Sequence, residues 1–299
     1  MKTQRSLGEW LGIWMQTARP QTLPAAIAPV LAGSALAILA GRFHACHALY
    51  CLLFALFAQI AANFANDGFD FSHGIDDDTR LGPARAAAEG ILSPRTLYLA
   101  ALVTLGLGGI FGLLLVAVAP AFILSVGLLC ALFVFLYSAG PRPLSHLALG
   151  DLLVILFFGL IPVTCTAYVQ TETWHHSWLL VGAAFGLVID NILVVNNYRD
   201  VDSDRRHGKY TTIVLFGRSF GRWFYFVNGC LALVVLVGLF LDYDRSPWHY
   251  LLLTLWLARH LIVFRMLLRR DGTALNSVLA ETAKNAVILA TIVLIASLT

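Results

Sequence analysis

Apolar residues in this chain gather into long, nearly unbroken runs, and polar residues are confined to the junctions between them. Nine runs are long enough, or nearly so, for a helix that crosses a membrane: 22–40, 45–66, 97–118, 121–138, 152–171, 177–198, 223–241, 247–264 and 278–298. A bilayer core about 30 Å thick is spanned by about 20 helical residues. The last run carries Glu281 and Lys284 in its first turns and is the least regular. Buried helices of a soluble protein also read as apolar runs, but nine in one chain do not fit that alternative. The pattern predicts an all-α integral membrane bundle of nine transmembrane helices, with residues 1–299 forming one domain.

Composition sharpens this picture. Hydrophobic residues make up 59% of the chain and charged residues 12%, about half the charged share of a soluble globular protein. The N-terminus, MKTQRSLGEWLGIWMQTARP, is mixed and amphipathic and has no signal-peptide pattern. The five cysteines form no CxxC pair, which points to small packing residues and away from a disulfide or zinc framework. Trp10, Trp14, Trp174, Trp178, Trp223 and Trp248 lie near run ends, where an interfacial belt is expected.

Charge then fixes an orientation. With the N-terminus in the cytoplasm, sixteen of the twenty Lys and Arg residues fall on the cytoplasmic side, and only Arg42 and Arg245 fall opposite. The positive-inside rule therefore places the N-terminus inside and the C-terminus outside a cell (inner) membrane. Two cytoplasmic connections, about 67–96 and 199–222, read as long loops, and each opens with asparagines and aspartates. No nucleic-acid partner is expected.

The first cluster belongs to AANFANDGFDFSHGIDDDTR, residues 61–80, where Asn63, Asp67 and Asp70 share a helix face and Asn66 adjoins it. The second places Asn196, Asp200 and Asp204 on one face, with Arg199 and Lys209 close by. Carboxylates gathered this way repel one another unless a cation sits among them. Mg²⁺ suits carboxylate and phosphate oxygens, so two such clusters could clamp a diphosphate. Asp76, Asp77 and Asp78 alone would read as a solvated helix end. The asparagines resist that reading, because an amide inside an apolar helix is costly without a partner.

These residues resemble the UbiA superfamily of intramembrane prenyltransferases. The likeness rests on Asn66-Asp67-x-x-Asp70 with Asp76, and on Asp200-x-x-x-Asp204 downstream. Within the superfamily, the stretches at 18–37, 76–93, 140–159 and 196–218 are most similar to the 1,4-dihydroxy-2-naphthoate polyprenyltransferase branch. The resemblance implies nine helices around a cavity with a cytoplasmic polar cap and an opening to membrane lipid. It implies that Asp67, Asp70, Asp76, Asp200 and Asp204 bind Mg²⁺, and that Asn63, Asn66, Arg142, Asn196, Arg199 and Lys209 hold the diphosphate. A polyprenyl diphosphate would be the donor and 1,4-dihydroxy-2-naphthoate the acceptor, with loss of CO₂ and a proton. One departure stands out. Gly68-Phe69 replaces the branch's usual Tyr-Gly, which is expected to bend the helix end early and to remove a phenol.

Two further acids lie deeper. Asp190 interrupts the sixth run and is a candidate for bordering the acceptor pocket, the alternative being a structural acid bonded to Asn191. Asp151, at the start of the fifth run, is a candidate helix cap or a site residue. His73, His146, His175, His176 and His207 read as loop histidines without metal-ligand spacing. A secondary transporter is the rival from another class, but its sites lie near the bilayer midplane, whereas these clusters lie at one rim. Within the superfamily, 4-hydroxybenzoate or homogentisate is the alternative acceptor.

Overall fold

Proline and small polar residues punctuate the helices where the chain enters and leaves the apolar runs. The computed structural model describes residues 5–74, 81–117 and 119–299. Helix α1 (Leu7–Ala18) starts at a capping box in which Ser6 and Glu9 bond each other's backbone N–H. It meets α2 (Pro24–Leu39) through a short 3₁₀ turn, and the two axes differ by 49°. Helices α3 (Ala45–Ser72), α4 (Pro94–Val116) and α5 (Phe122–Leu136) follow, with Ser93 capping α4 and Pro94 in its first turn.

The fifth span is composite. A helix α6 (Gly150–Ile155) passes through a π turn, Leu156–Leu160, into α7 (Ile161–Thr171). Then come α8 (Ser177–Arg206), α9 (Thr212–Asp242), α10 (Pro247–Arg269) and α11 (Leu275–Leu298). Among the described residues, seven helical stretches are long and apolar enough to cross a membrane, and the bent α1–α2 pair makes an eighth. Helix α5 is apolar but shorter, and with it the count reaches the nine expected. This is a multi-pass helical membrane architecture.

Two boundaries differ from the sequence reading. The second span continues to Ser72 and the sixth to Arg206, so both acidic clusters ride on helices that project beyond the apolar core. The connection expected over 199–222 shortens, because α8 runs to Arg206 and a helical turn begins at Thr212 under a Thr211 cap. The chain then kinks at Gly217 (φ 86°, ψ 170°) before α9 continues to Asp242. Charge marks where apolar burial ends, and a helix need not end there.

The helices fall into two groups. Helices α8 to α11, with α2, enclose a solid core that includes Trp178, Phe185, Tyr225, Leu236 and Trp256. Glycines permit the closest approaches. A Cβ on Gly186 of α8 would sit 2.8 Å from the Ile155 carbonyl oxygen, and one on Gly33 of α2 would sit 2.5 Å from that of Val163. Such backbone proximity is the usual use of small residues between membrane helices. Trp178, expected in an interfacial belt, is instead fully buried in this core. Helices α2 to α7 surround a void.

Candidate functional site

The void is a cavity of about 600 Å³. Apolar side chains from five spans line it, among them Pro29, Phe54, Ile110, Leu128, Phe157 and Cys165. Gln59, Asn66 and Tyr137 give it polar points, so the cavity reaches up to the acidic end of α3.

On α3, Asp67 is 1% exposed and Asp70 lies one turn later. The Arg85 guanidinium bonds Asp70 at 2.6 Å and also donates to the Asn66 carbonyl at 3.2 Å. The Asn66 side-chain oxygen accepts a 2.6 Å bond from the Ser138 hydroxyl after α5. Asn63 turns elsewhere. Its amide donates to the Ala18 carbonyl at 2.8 Å and to Thr22 at 2.9 Å, and its oxygen accepts from Gln59. Asn63 therefore ties α3 to the α1–α2 corner, and its donors are not presented to the cavity.

The Gly68-Phe69 departure has a structural answer. The helix does not bend early; it runs on to Ser72. Gly68 makes room for the ring of Tyr98 from α4, whose edge would lie 2.6 Å from a Cβ at that position. The Tyr98 hydroxyl donates to the Gly68 carbonyl at 3.1 Å and lies 3.0 Å from the Ser72 hydroxyl. A phenol is present beside this turn after all, supplied from the neighbouring helix.

On α8, Arg199 grips Asp200 through two bonds of 2.8 and 2.6 Å, and it also donates to Asn196 and to Asn276 of α11. Asn276 in turn donates to the Leu81 carbonyl at 3.1 Å. Lys209 pairs with Asp204 at 3.3 Å, while the other Asp204 oxygen is buried without a hydrogen-bond partner. The two clusters lie near one another: Asp204 is within electrostatic reach of Asp70, and Asp70 within reach of Lys209 and Arg19. His146 sits in the same cap. Burial, and then the neighbouring Lys209 charge, hold its pKa below the ordinary histidine value.

The structure thus brings together Asp67, Asp70, Asn66, Asn196, Arg199, Asp200, Asp204 and Lys209. Arg142 stands exposed on the loop after α5. Asp76 falls outside the described residues. Asp190 is fully buried among α8 and α9, with one carboxylate oxygen 3.4 Å from the Asn228 amide, and it does not line the cavity of about 600 Å³. The acceptor-pocket expectation for Asp190 therefore has no support in the geometry. Asn191 bonds the Tyr225 carbonyl and accepts from Asn228, not from Asp190. Asp151 lies in the first turn of α6, where a negative charge suits the helix N-terminus, but it makes no side-chain cap bond; its carboxylate accepts from Thr212 at 2.9 Å.

Sequence reasoning missed Asn276, Ser138 and Tyr98 as members of the cap. Each is an ordinary polar residue at a helix end, and only the tertiary arrangement distinguishes it.

Among the described residues, no three His, Cys, Asp or Glu side chains already converge as metal ligands. Asp70, Asp200 and Asp204 are instead paired with Arg85, Arg199 and Lys209 respectively. The donor set is nevertheless suited to Mg²⁺. It consists of carboxylate and amide oxygens, one carboxylate oxygen is buried and unpartnered, and Mg²⁺ is commonly held by one or two carboxylates with the rest from phosphates and water.

Residues 26–297 match the model of the UbiA prenyltransferase family. The 1,4-dihydroxy-2-naphthoate octaprenyltransferase of Escherichia coli is 34% identical over 92% of this chain and 91% of its own. The enzyme of the same name from Mycobacterium tuberculosis is 37% identical over 79% of each chain. The solved UbiA homologue of Archaeoglobus fulgidus bound to GPP and Mg²⁺ aligns with a TM-score of 0.68 at 17% identity, covering 96% of this chain and 99% of that one. An apo UbiA homologue from Aeropyrum pernix aligns with a TM-score of 0.70 at 15% identity over 90% and 97%. These structural likenesses concern the fold.

Proposed function

The chain belongs to the UbiA prenyltransferase family, and from that premise we propose that it joins a polyprenyl group to 1,4-dihydroxy-2-naphthoate. The donor is a polyprenyl diphosphate; diphosphate and CO₂ leave, and demethylmenaquinol forms for menaquinone biosynthesis. The observation that carries the reading is that two Asn/Asp helix ends lie near one another, beside an apolar cavity whose lining includes Asn66. That pairing suits a molecule with a doubly charged head and an oily tail. Identity of 34% to a naphthoate prenyltransferase across nearly its full length supports the choice of acceptor.

Asp67, Asp70, Asp200 and Asp204, with Asp76 from the sequence pattern, are the residues that would hold Mg²⁺. When bound, Mg²⁺ supplies positive charge that stabilises the departing diphosphate. Arg142, Arg199, Lys209, Asn66 and Asn196 add donors to the same phosphates, in a place where water competes weakly. Asn63 serves this cap indirectly, by fixing α3 against the α1–α2 corner. The apolar walls keep water from the electron-poor allylic carbon. The ring carbon bearing the carboxylate attacks that carbon, and loss of CO₂ from it restores aromaticity. The N-terminus and the cap face the cytoplasm in this reading, and the C-terminus lies outside.

Membranes containing the protein, incubated with dihydroxynaphthoate, a prenyl diphosphate and Mg²⁺, should yield the decarboxylated prenyl naphthoquinol by mass. A product that retains the carboxylate, or prenylation of 4-hydroxybenzoate or homogentisate in its place, would overturn the naphthoate assignment. Activity undiminished by complete chelation of divalent ions would overturn the Mg²⁺ assignment.

A further inference from the structure

Behind Tyr137 lies a second cavity, far smaller and of different character. It measures about 10 Å³, and its polar walls are Tyr137, Ser145, Asp151, Asn197, Lys209 and Thr211. Its roof is pinned where the loop after α5 pairs with the α8–α9 corner. There Ala148 N–H donates to the Tyr210 carbonyl at 2.7 Å, and Tyr210 N–H to the His146 carbonyl at 3.2 Å.

Asp151 is the decisive wall. The residue is 6% exposed, one carboxylate oxygen accepts from Thr212, and the other is buried with no donor. Leaving a buried acceptor unsatisfied costs about 1–3 kcal/mol, and more when it is charged. The position is therefore built for a donor that the protein does not itself provide. A void of this size fits one O–H group, since about 10–15 Å³ on this measure is the space of a single water. Tyr137 lines this void and the large cavity alike, and its hydroxyl faces Gly150, where a Cβ would lie 3.5 Å from it. The small void thus adjoins the cap end of the large one.

We propose that this void is a hydroxyl-recognition subsite for the aromatic acceptor, in which Asp151 Oδ1 accepts the hydrogen bond of one ring hydroxyl. The inference rests on the acceptor class proposed above. Asn197 in the same lining supplies a donor to the hydroxyl oxygen or to the neighbouring carboxylate. Asp151 lines this void and Asp190 does not, being enclosed within the packing of α8 and α9. A site that hydrogen-bonds a substrate hydroxyl rejects an analogue lacking it far more strongly than an apolar pocket can.

The test compares dihydroxynaphthoate with 1-hydroxy-2-naphthoate by kcat/KM, and with 4-hydroxy-2-naphthoate by equilibrium Kd, in the wild-type protein and in Asp151→Ala. Binding is the measure for the second analogue because a hydroxyl meta to the carboxylate-bearing carbon does not activate it. Taking ratios of kcat/KM cancels the intrinsic reactivity of each ring. The preference for dihydroxynaphthoate over one of the two analogues should fall at least about tenfold in the variant, with the donor KM little changed. Equal preferences in both proteins would overturn the subsite and leave a void that holds water only. Asp151→Asn keeps the volume and the bond from Thr212, so it serves if the alanine variant fails to fold. In Asp151→Asn, equilibrium binding of dihydroxynaphthoate without donor should weaken about tenfold, and unchanged binding would overturn the proposal. A wild-type protein that neither binds nor prenylates dihydroxynaphthoate would bring down the acceptor class and the subsite together. That outcome differs from the previous ones, in which only the subsite falls.

Discussion

Helices α8 to α11 and helices α3 to α7 are built from nearly the same apolar alphabet, yet one group is solid and the other hollow. In the richest apolar window of α8, 67% of residues are buried within the protein, against 17% for α3 and α4. The solid half is filled by large side chains, including Trp178, Tyr225 and Trp256. The hollow half faces its void with residues such as Ala131, Gly106 and Gly109. Polar residues follow the same division. In the solid half Asn228 donates to Asp190 and Asn191, Asn191 donates to the Tyr225 carbonyl, and the Tyr225 hydroxyl pairs with Thr282. At the mouth of the hollow half, Asp70, Asp200 and Asp204 are paired with Arg85, Arg199 and Lys209. The solid half is the frame that holds Asp200 and Asp204 opposite Asp67 and Asp70.

The largest expected effect is at the mouth. Asp67→Asn or Asp200→Asn should reduce turnover by more than about 10³-fold in a steady-state assay, as expected when electrostatic stabilisation of a leaving group is lost. Folded yield in detergent should stay near wild type. Near-normal turnover of both variants at saturating Mg²⁺ would break the assignment of the hollow half as the reactive one.

Next comes the solid half. Trp256→Ala should lower stability by about 3–5 kcal/mol, the usual cost of deleting a large buried aromatic side chain, and shift the thermal transition accordingly. Trp256 also donates to the Asn285 carbonyl at 3.0 Å, so the loss includes a buried hydrogen bond. The counterpart in the hollow half is Ala131→Phe, which puts a ring where there is already space. It should change stability by less than about 1 kcal/mol, well below the 1–3 kcal/mol of overpacking a filled core. The donor KM should rise about tenfold. If instead Ala131→Phe destabilises as much as Trp256→Ala, the cavity is not open in the working protein.

The smallest effect is expected at Asp190→Asn. This change keeps a group that can pair with Asn228, so stability should move by no more than about 1–2 kcal/mol. The KM for the acceptor should stay within about twofold. A selective loss of acceptor affinity would return Asp190 to the site and weaken the separation of the two halves.

Much of this arrangement could be read from the chain alone, because length of apolar run and depth of charge are local properties. Nine spans, two acidic helix faces and their common side of the membrane all follow from such counting. The solid and hollow halves do not, since Leu and Val are equally at home against lipid, protein or a void. Asn63 looked like a ligand for the same reason that makes it structural: an amide at that depth needs partners, and sequence does not say whose. Asp190 is deep in the bundle but does not line the large cavity, and depth alone does not separate those two facts. Asp151 shows the converse, an acid whose importance depends on a void formed by the α5–α6 and α8–α9 loops. Gly68 removed a phenol from one helix, and only tertiary packing revealed Tyr98 in its place.

The central claim is that the ends of α3 and α8 act as one metal-dependent clamp over the hollow half. Equilibrium binding of a non-hydrolysable prenyl diphosphate analogue to the purified protein, with and without Mg²⁺, tests it most directly. The account predicts tight binding with Mg²⁺ and a loss of at least about 10²-fold on its removal, and an equal loss in Asp67→Asn and in Asp200→Asn with Mg²⁺ present. Binding that ignores Mg²⁺, or that survives loss of one helix's aspartate while failing on loss of the other's, would contradict a shared clamp.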